Sequence, residues 1–181
     1  KEPLYTSDDV KETLKHTICL DFDEVSDITP DIRITLYNAG HIIGSASVHL
    51  KVKEDGKITR ISFSGDVGRY RDVILRSPDE FEQADYILLE STYGNSLHDN
   101  ATTTPDQILH WVEKACVQKR GKLIIAAFSV GRTQEILYAL NQLELERRLP
   151  KINYYVDSPL SVKATEIIKS LNWIDIVVGL I

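Results

Sequence analysis

A chain of 181 residues, 43% of them hydrophobic, with a formal net charge of −6, can build one generous domain or two small ones. That composition excludes a disordered chain, and the acidic balance argues against a broad basic surface that coats nucleic acid, though not against a local basic groove. No apolar run nears the roughly 20 residues that cross a bilayer, and KEPLYTSDDVKE lacks the apolar stretch of a signal peptide.

In chain order, Ser7-Asp8-Asp9 caps a short helix. Strands are predicted at 17–21, 32–37, 46–53 and 58–64, the last two joined by Glu54-Asp55-Gly56-Lys57, whose Asp-Gly is hairpin chemistry. Tyr86-Ile87-Leu88-Leu89 is a continuous apolar run and predicts a strand buried on both faces. After residue 98 the pattern changes. Thr104-Pro105 opens a helix that Gly121 ends, and Lys122–Phe128 reads as a buried strand. Ser129-Val130-Gly131-Arg132 turns into a second helix, 152–156 is another strand, and Ser158-Pro159 opens a third helix to about Ser170. Strand–helix alternation predicts a parallel sheet covered by helices, with a domain boundary near residues 95–104. Cys19 and Cys116 lie far apart without a partner motif and read as buried free thiols in a reducing compartment such as the cytoplasm.

Three strands each end in a residue able to bind metal or move a proton. His41 lies in Ala39-Gly40-His41-Ile42-Ile43-Gly44-Ser45, where glycines allow tight backbone and small neighbours leave room around the imidazole. Asp66 follows an apolar strand between Gly65 and Gly68, and Glu90 follows Leu88-Leu89. Taken singly, these could be a hydrogen-bonded turn histidine, an Asx turn and a turn cap. Together, at one sheet edge, they suit a metal or substrate site. Ser129 and Arg132, at a strand-to-helix turn, and Arg69, behind Asp66, are candidates for binding phosphate; Arg71 and Arg76 would add positive charge. His98 could face the same cleft. His16, His49 and His110 lie inside regular patterns and receive no chemical role.

Five motifs occur in order: AGHIIGSA, FSGDVGR, ESTYG, FSVGRTQEIL and VDSPL. On these the chain resembles the β-CASP branch of the metallo-β-lactamase superfamily, RNA-cleaving enzymes that include the cleavage-and-polyadenylation endonuclease. The resemblance implies an α/β fold: part of an αββα metallo-β-lactamase domain over 1–98, then the start of a β-CASP domain with a parallel sheet over 99–181. It implies His41 as a zinc ligand, Asp66 as the carboxylate bridging two zinc ions, and Glu90 as the acid that partners a proton-donating histidine. The implied reaction is hydrolysis of RNA phosphodiesters.

The family's His-x-His-x-Asp-His cluster is absent from the sequence and would precede Lys1, and two later histidines would follow Ile181. The resemblance therefore implies an internal piece of a longer enzyme. Alone, that piece is expected neither to hold two zinc ions tightly nor to cut RNA. A partial fold exposes apolar surface, so self-association is an expectation too. The alternatives are a non-catalytic relative that binds RNA or protein, and a metallo-hydrolase of a small ester or amide.

Overall fold

The computed structural model describes residues 3–97 and 104–170. These fall into two groups by contact. The first holds residues up to Ala39, Ser45–Val67 and Pro78–Glu90. The second holds Gly40–Gly44, Gly68–Ser77 and the described residues from Ser91 onward.

The first group opens with α1 (Ser7–Leu14), capped one residue earlier than the sequence suggests. The Thr6 hydroxyl accepts the Asp9 N–H, and the Asp9 carboxylate accepts the Thr6 N–H at 2.7 Å. A five-stranded sheet follows in sequence order: β1 (Val25–Thr29), β2 (Ile32–Asn38), β3 (Ala46–Glu54), β4 (Lys57–Phe63) and β5 (Tyr86–Leu88). The first four are antiparallel neighbours, and β5 runs parallel to β4. The β3–β4 turn takes Asp55 and Gly56 at φ 49° and 77°, the paired left-handed geometry that Asp-Gly supplies cheaply.

Register sorts the side chains by face. Leu36, Val48 and Phe63 align across β2–β4, as do Ile34, Leu50 and Ile61, giving one apolar face. Thr35, His49 and Ser62 align on the other. The polar face is the better buried: Thr35, Ser47, His49 and Ser62 are all at most 5% exposed. A strap, Pro78–Asp85, lies along it. Asp79 donates its N–H to the Asn38 carbonyl and accepts the Asn38 N–H on its carboxylate. Asp85 repeats this double bond with Arg60. Between them Glu82 takes the Tyr37 hydroxyl and the Lys51 ammonium.

The second group contains α2 (Thr104–Val112), continued by a π-helical turn Glu113–Gln118, then α3 (Arg132–Leu145) and α4 (Pro159–Ser170). Leu137 and Ile168 form its apolar centre, with Ile43, Tyr154 and Val156 packed against them. Gln134, fully buried, joins α3 to α4: its amide nitrogen donates to the Ser129 carbonyl and to Thr165 Oγ1, both at 3.1 Å.

Several expectations need correcting. Residues 17–21 form no strand; the first strand is at 25–29, where it meets β2, and Cys19 is exposed. The sheet is mixed, and the predicted strands 122–128 and 152–156 join no ladder among the described residues. With no partner strand there, their apolar side chains find no second layer: Ile124 is 90% exposed and Phe128 86%. β5 has β4 on one side only, so Tyr86–Leu89, expected to be buried, are all more than half exposed. Apolar composition marked these runs; burial depends on a cover that composition does not name. Among the described residues no helix is long and apolar enough to cross a membrane.

Candidate functional site

In the first group, β2 and β4 both run antiparallel to β3, and β5 runs parallel to β4. The carboxyl ends of β2, β4 and β5 therefore lie on one edge of the sheet, and Asp66 and Glu90 emerge from adjacent ends. Their strands are closed there by the Ser64 N–H on the Leu88 carbonyl, 3.0 Å. The Ser64 side chain, 1% exposed, fastens the joint. Its hydroxyl accepts the Glu90 N–H at 2.9 Å and donates its O–H to the Gly65 carbonyl at 2.7 Å. Glu90 Oε1 then accepts the Val67 N–H at 2.7 Å. Glu90 thus grips the backbone immediately after Asp66, and Asp66 itself is exposed. Gly65 permits this turn at φ 57°, where a Cβ would also meet the Ala46 carbonyl at 3.3 Å.

In the second group, His41 is exposed on the loop that follows β2. Gly40 and Gly44, at φ 65° and 80°, shape that loop. Ile43 packs on Leu137 and Ile168, which ties the loop to the helices. The backbone at Gly68 touches the backbone at Gly40: a Cβ on Gly68 would fall 1.7 Å from the Gly40 oxygen and 2.7 Å from the His41 nitrogen. Next along the chain, Arg69 pairs with Asp72 at 2.9 Å and Glu135 at 2.8 Å, and Arg132 pairs with the same Glu135 at 2.6 Å. Arg71 is exposed, its N–H held by Ser77 Oγ at 3.2 Å.

The α3 start is mostly self-satisfied. The Gly131 N–H donates to Gln134 Oε1, and the Thr133 N–H to the Phe128 carbonyl. Ser129 Oγ lies 3.2 Å from Ser158 Oγ, at the start of α4. The anion-binding capacity of this turn therefore rests on side chains more than on open backbone donors. His98 lies outside the described residues.

The sequence reading missed Ser64, Gly68 and Glu135. Glu135 had a weak local signal, three residues after Arg132 on one helix face. Ser64 and Gly68 act through partners distant in sequence, so no local pattern announces them. His49, given no chemical role, sits in a buried cluster. Its Nδ1 is 2.8 Å from Ser62 Oγ, and its Nε2 is 3.2 Å from Glu82 Oε2 but off hydrogen-bond line. Burial pushes the His49 pKa down, against the opposing pull of Glu82. The Tyr37 hydroxyl is pushed up to about 12, first by burial and then by its bond to Glu82.

A pair of zinc ions asks about four donors per ion. Among the described residues no group of three or more His, Cys, Asp or Glu side chains is arranged to hold a metal. The donors present, His41 and Asp66, do not make up such a site.

No protein-family model matches the sequence. Individual proteins do. The transcription termination factor FttA of Methanosarcina mazei is 38% identical over 156 residues, covering 84% of this chain and 24% of that protein. FttA of Thermococcus kodakarensis is 40% identical over 148 residues, 78% of this chain and 22% of that protein. An RNase J-like protein of Methanocaldococcus jannaschii is 33% identical over 175 residues, 94% of this chain and 40% of that protein. The chain thus spans from under a quarter to two fifths of the length of these relatives. With five motifs in order along the sequence and relatives of these two kinds, the chain belongs to the β-CASP, RNase-like branch of the metallo-β-lactamase superfamily.

Proposed function

We propose that the intact protein is a metal-dependent hydrolase of RNA phosphodiester bonds, acting in RNA processing or transcription termination in the cytoplasm, and that this chain carries part of its active site. One observation carries the reading: Asp66 and Glu90 stand at adjacent strand ends, with Glu90 holding the backbone behind an exposed Asp66. A carboxylate just past the end of β4, with the backbone behind it held by a second carboxylate, is preorganised for a metal or a reacting proton. Metal donors beyond His41 and Asp66 come from other parts of the intact protein. The names of the relatives, termination factor and RNase J-like protein, support RNA as the substrate.

Within this chain the roles divide. Asp66 presents the carboxylate. Glu90, through Val67, and Ser64, through Glu90, keep it aimed. Arg69, Arg132 and Ser129 face the substrate's backbone charge.

Incubating the intact protein with end-labelled RNA, with and without a chelator, tests this reading. Cleavage is expected to stop on chelation, and Asp66→Asn to lower it roughly a hundredfold or more. Cleavage indifferent to both, or turnover of small esters with RNA left intact, would refute it.

A further inference from the structure

The geometry points to Glu135 as a positioning residue that yokes Arg69 and Arg132 into a single binding site for one phosphodiester of an RNA strand; this rests on the RNA reading above.

Glu135 divides its two oxygens between two cations. Oε1 takes Arg69 Nη2 at 2.8 Å and Oε2 takes Arg132 Nη1 at 2.6 Å. The Glu135 side chain is only 17% exposed, whereas the arginines are 44% and 51% exposed. Each ion pair uses one guanidinium nitrogen, and a guanidinium carries five N–H donors in a planar fork. The carboxylate therefore lies beneath, and the outward edges of both forks face solvent.

The other acid in the cluster is the better buried, and its Oδ2 takes the same Arg69 Nη2 at 2.9 Å. Asp72 is 4% exposed, and its Oδ1 accepts the Ile74 and Leu75 N–H groups at 2.9 and 3.1 Å. It closes the turn that carries Arg69. The two acids balance the two arginines, and the arginines are the more exposed of the four side chains.

Position adds a second argument. Three loops meet here, and each brings a candidate residue. Gly68, before Arg69, touches the Gly40–His41 backbone, and Gly131, before Arg132, faces Ile42 Cγ2, with its Cβ position 3.8 Å away. The paired guanidinium groups thus border the His41 loop. Two arginine side chains, each of which would lose rotamer freedom on ordering, are held by one carboxylate before any ligand arrives. The planar fork of a guanidinium matches the geminal oxygens of a phosphodiester.

The test uses the intact protein, a short fluorescein-labelled single-stranded RNA read by anisotropy, and dimethyl phosphate read by guanidinium nitrogen NMR. Arg69→Lys and Arg132→Lys keep the charge and remove the fork, so each is expected to weaken RNA binding about tenfold. Together they should weaken it by less than the product, since both arginines serve one phosphate. In a Glu135→Gln background the two losses should multiply, because the shared carboxylate is gone. Thermal melts of every variant verify folding. If the lysine variants bind like the parent, or their losses already multiply with Glu135 present, the shared site is wrong. If the parent ignores RNA yet dimethyl phosphate shifts both arginine signals together, the site stands and the RNA reading falls. If dimethyl phosphate shifts neither signal, the site falls.

Discussion

The sheet group and the helical group are held together in different ways. In the sheet group the buried side chains are mostly polar: Thr35, Ser47, His49, Ser62 and Ser64, with Ala39 and Pro78 the buried apolar residues among those described. In the helical group Val112, Leu137, Ala139, Leu140, Leu143 and Ile168 are all buried. The first is a ladder of backbone hydrogen bonds with a polar strap; the second is an apolar core threaded by buried Gln134, Asn141, Ser161 and Thr165. Ladders specify register, because a slip of one residue moves every side chain to the opposite face. Apolar cores contribute most of the stability, because area removed from water is the larger favourable quantity. The residues at the strand ends are thus aimed by the sheet, while the His41 loop is anchored by the helices.

The contrast can be broken most severely at Gly68. Any side chain there collides with the Gly40 backbone, which cannot swing aside as a side chain could. Gly68→Ala is expected to cost about 3 kcal/mol or more in urea unfolding of the intact protein. It should also abolish the proposed RNA cleavage by shifting the His41 loop. Unchanged stability would mean the two loops can separate freely.

A smaller effect is expected at Gln134. Gln134→Leu keeps the size but strands the Gly131 N–H and the Ser129 carbonyl. The expected loss is about 1–3 kcal/mol per unsatisfied group. Limited proteolysis should report it first around 129–134, with the sheet ladder unaffected. Equal loosening of β2–β4 would show that the two groups unfold as one.

The smallest effect separates the groups by pH. His49 has its pKa lowered by burial, so the unfolded chain binds a proton at a higher pH than the folded chain. Its contribution to stability is therefore present at neutral pH and falls as pH drops through about 6.5. Glu82 has its pKa lowered, chiefly by the Tyr37 hydroxyl, so its contribution is lost only as pH falls below about 4.3. Protection of the β2–β4 amides, taken relative to their intrinsic exchange rates, should weaken on mild acidification while that of α3 is unaffected, and His49→Gln should remove that first step. A slope that survives the substitution would place its origin elsewhere.

The hairpin, the positions of β2, β3 and β4, and the strand-end placement of Asp66 and Glu90 were legible in the sequence. Alternation, Asp-Gly and strand-then-glycine are local signals written within a few residues. Helices α3 and α4 were legible from periodicity and capping. The failures share a cause. Residues 17–21, 122–128 and 152–156 look like strands by composition, but a strand exists only through a neighbour, and the neighbour is not local. For the same reason the Gly68–Gly40 contact and the seating of Ile43 were invisible, though Gly68 and Ile43 are conspicuous in the motifs. Glycine between functional residues reads as flexibility or clearance. Here it marks a place where two backbones touch.

The placement of the Gly40–Gly44 and Gly68–Ser77 loops with the helical group bears on how this protein can be recombined. Contiguous cutting near residue 90 would take the sheet away with loops that belong, by contact, to the other part. A chimera joining this sheet to the helical segment of a relative would need residues 40–44 and 68–77 to travel with the helices. The unit of inheritance for the helical group is a patchwork of three stretches, and substitutions in one should be compensated in the other two.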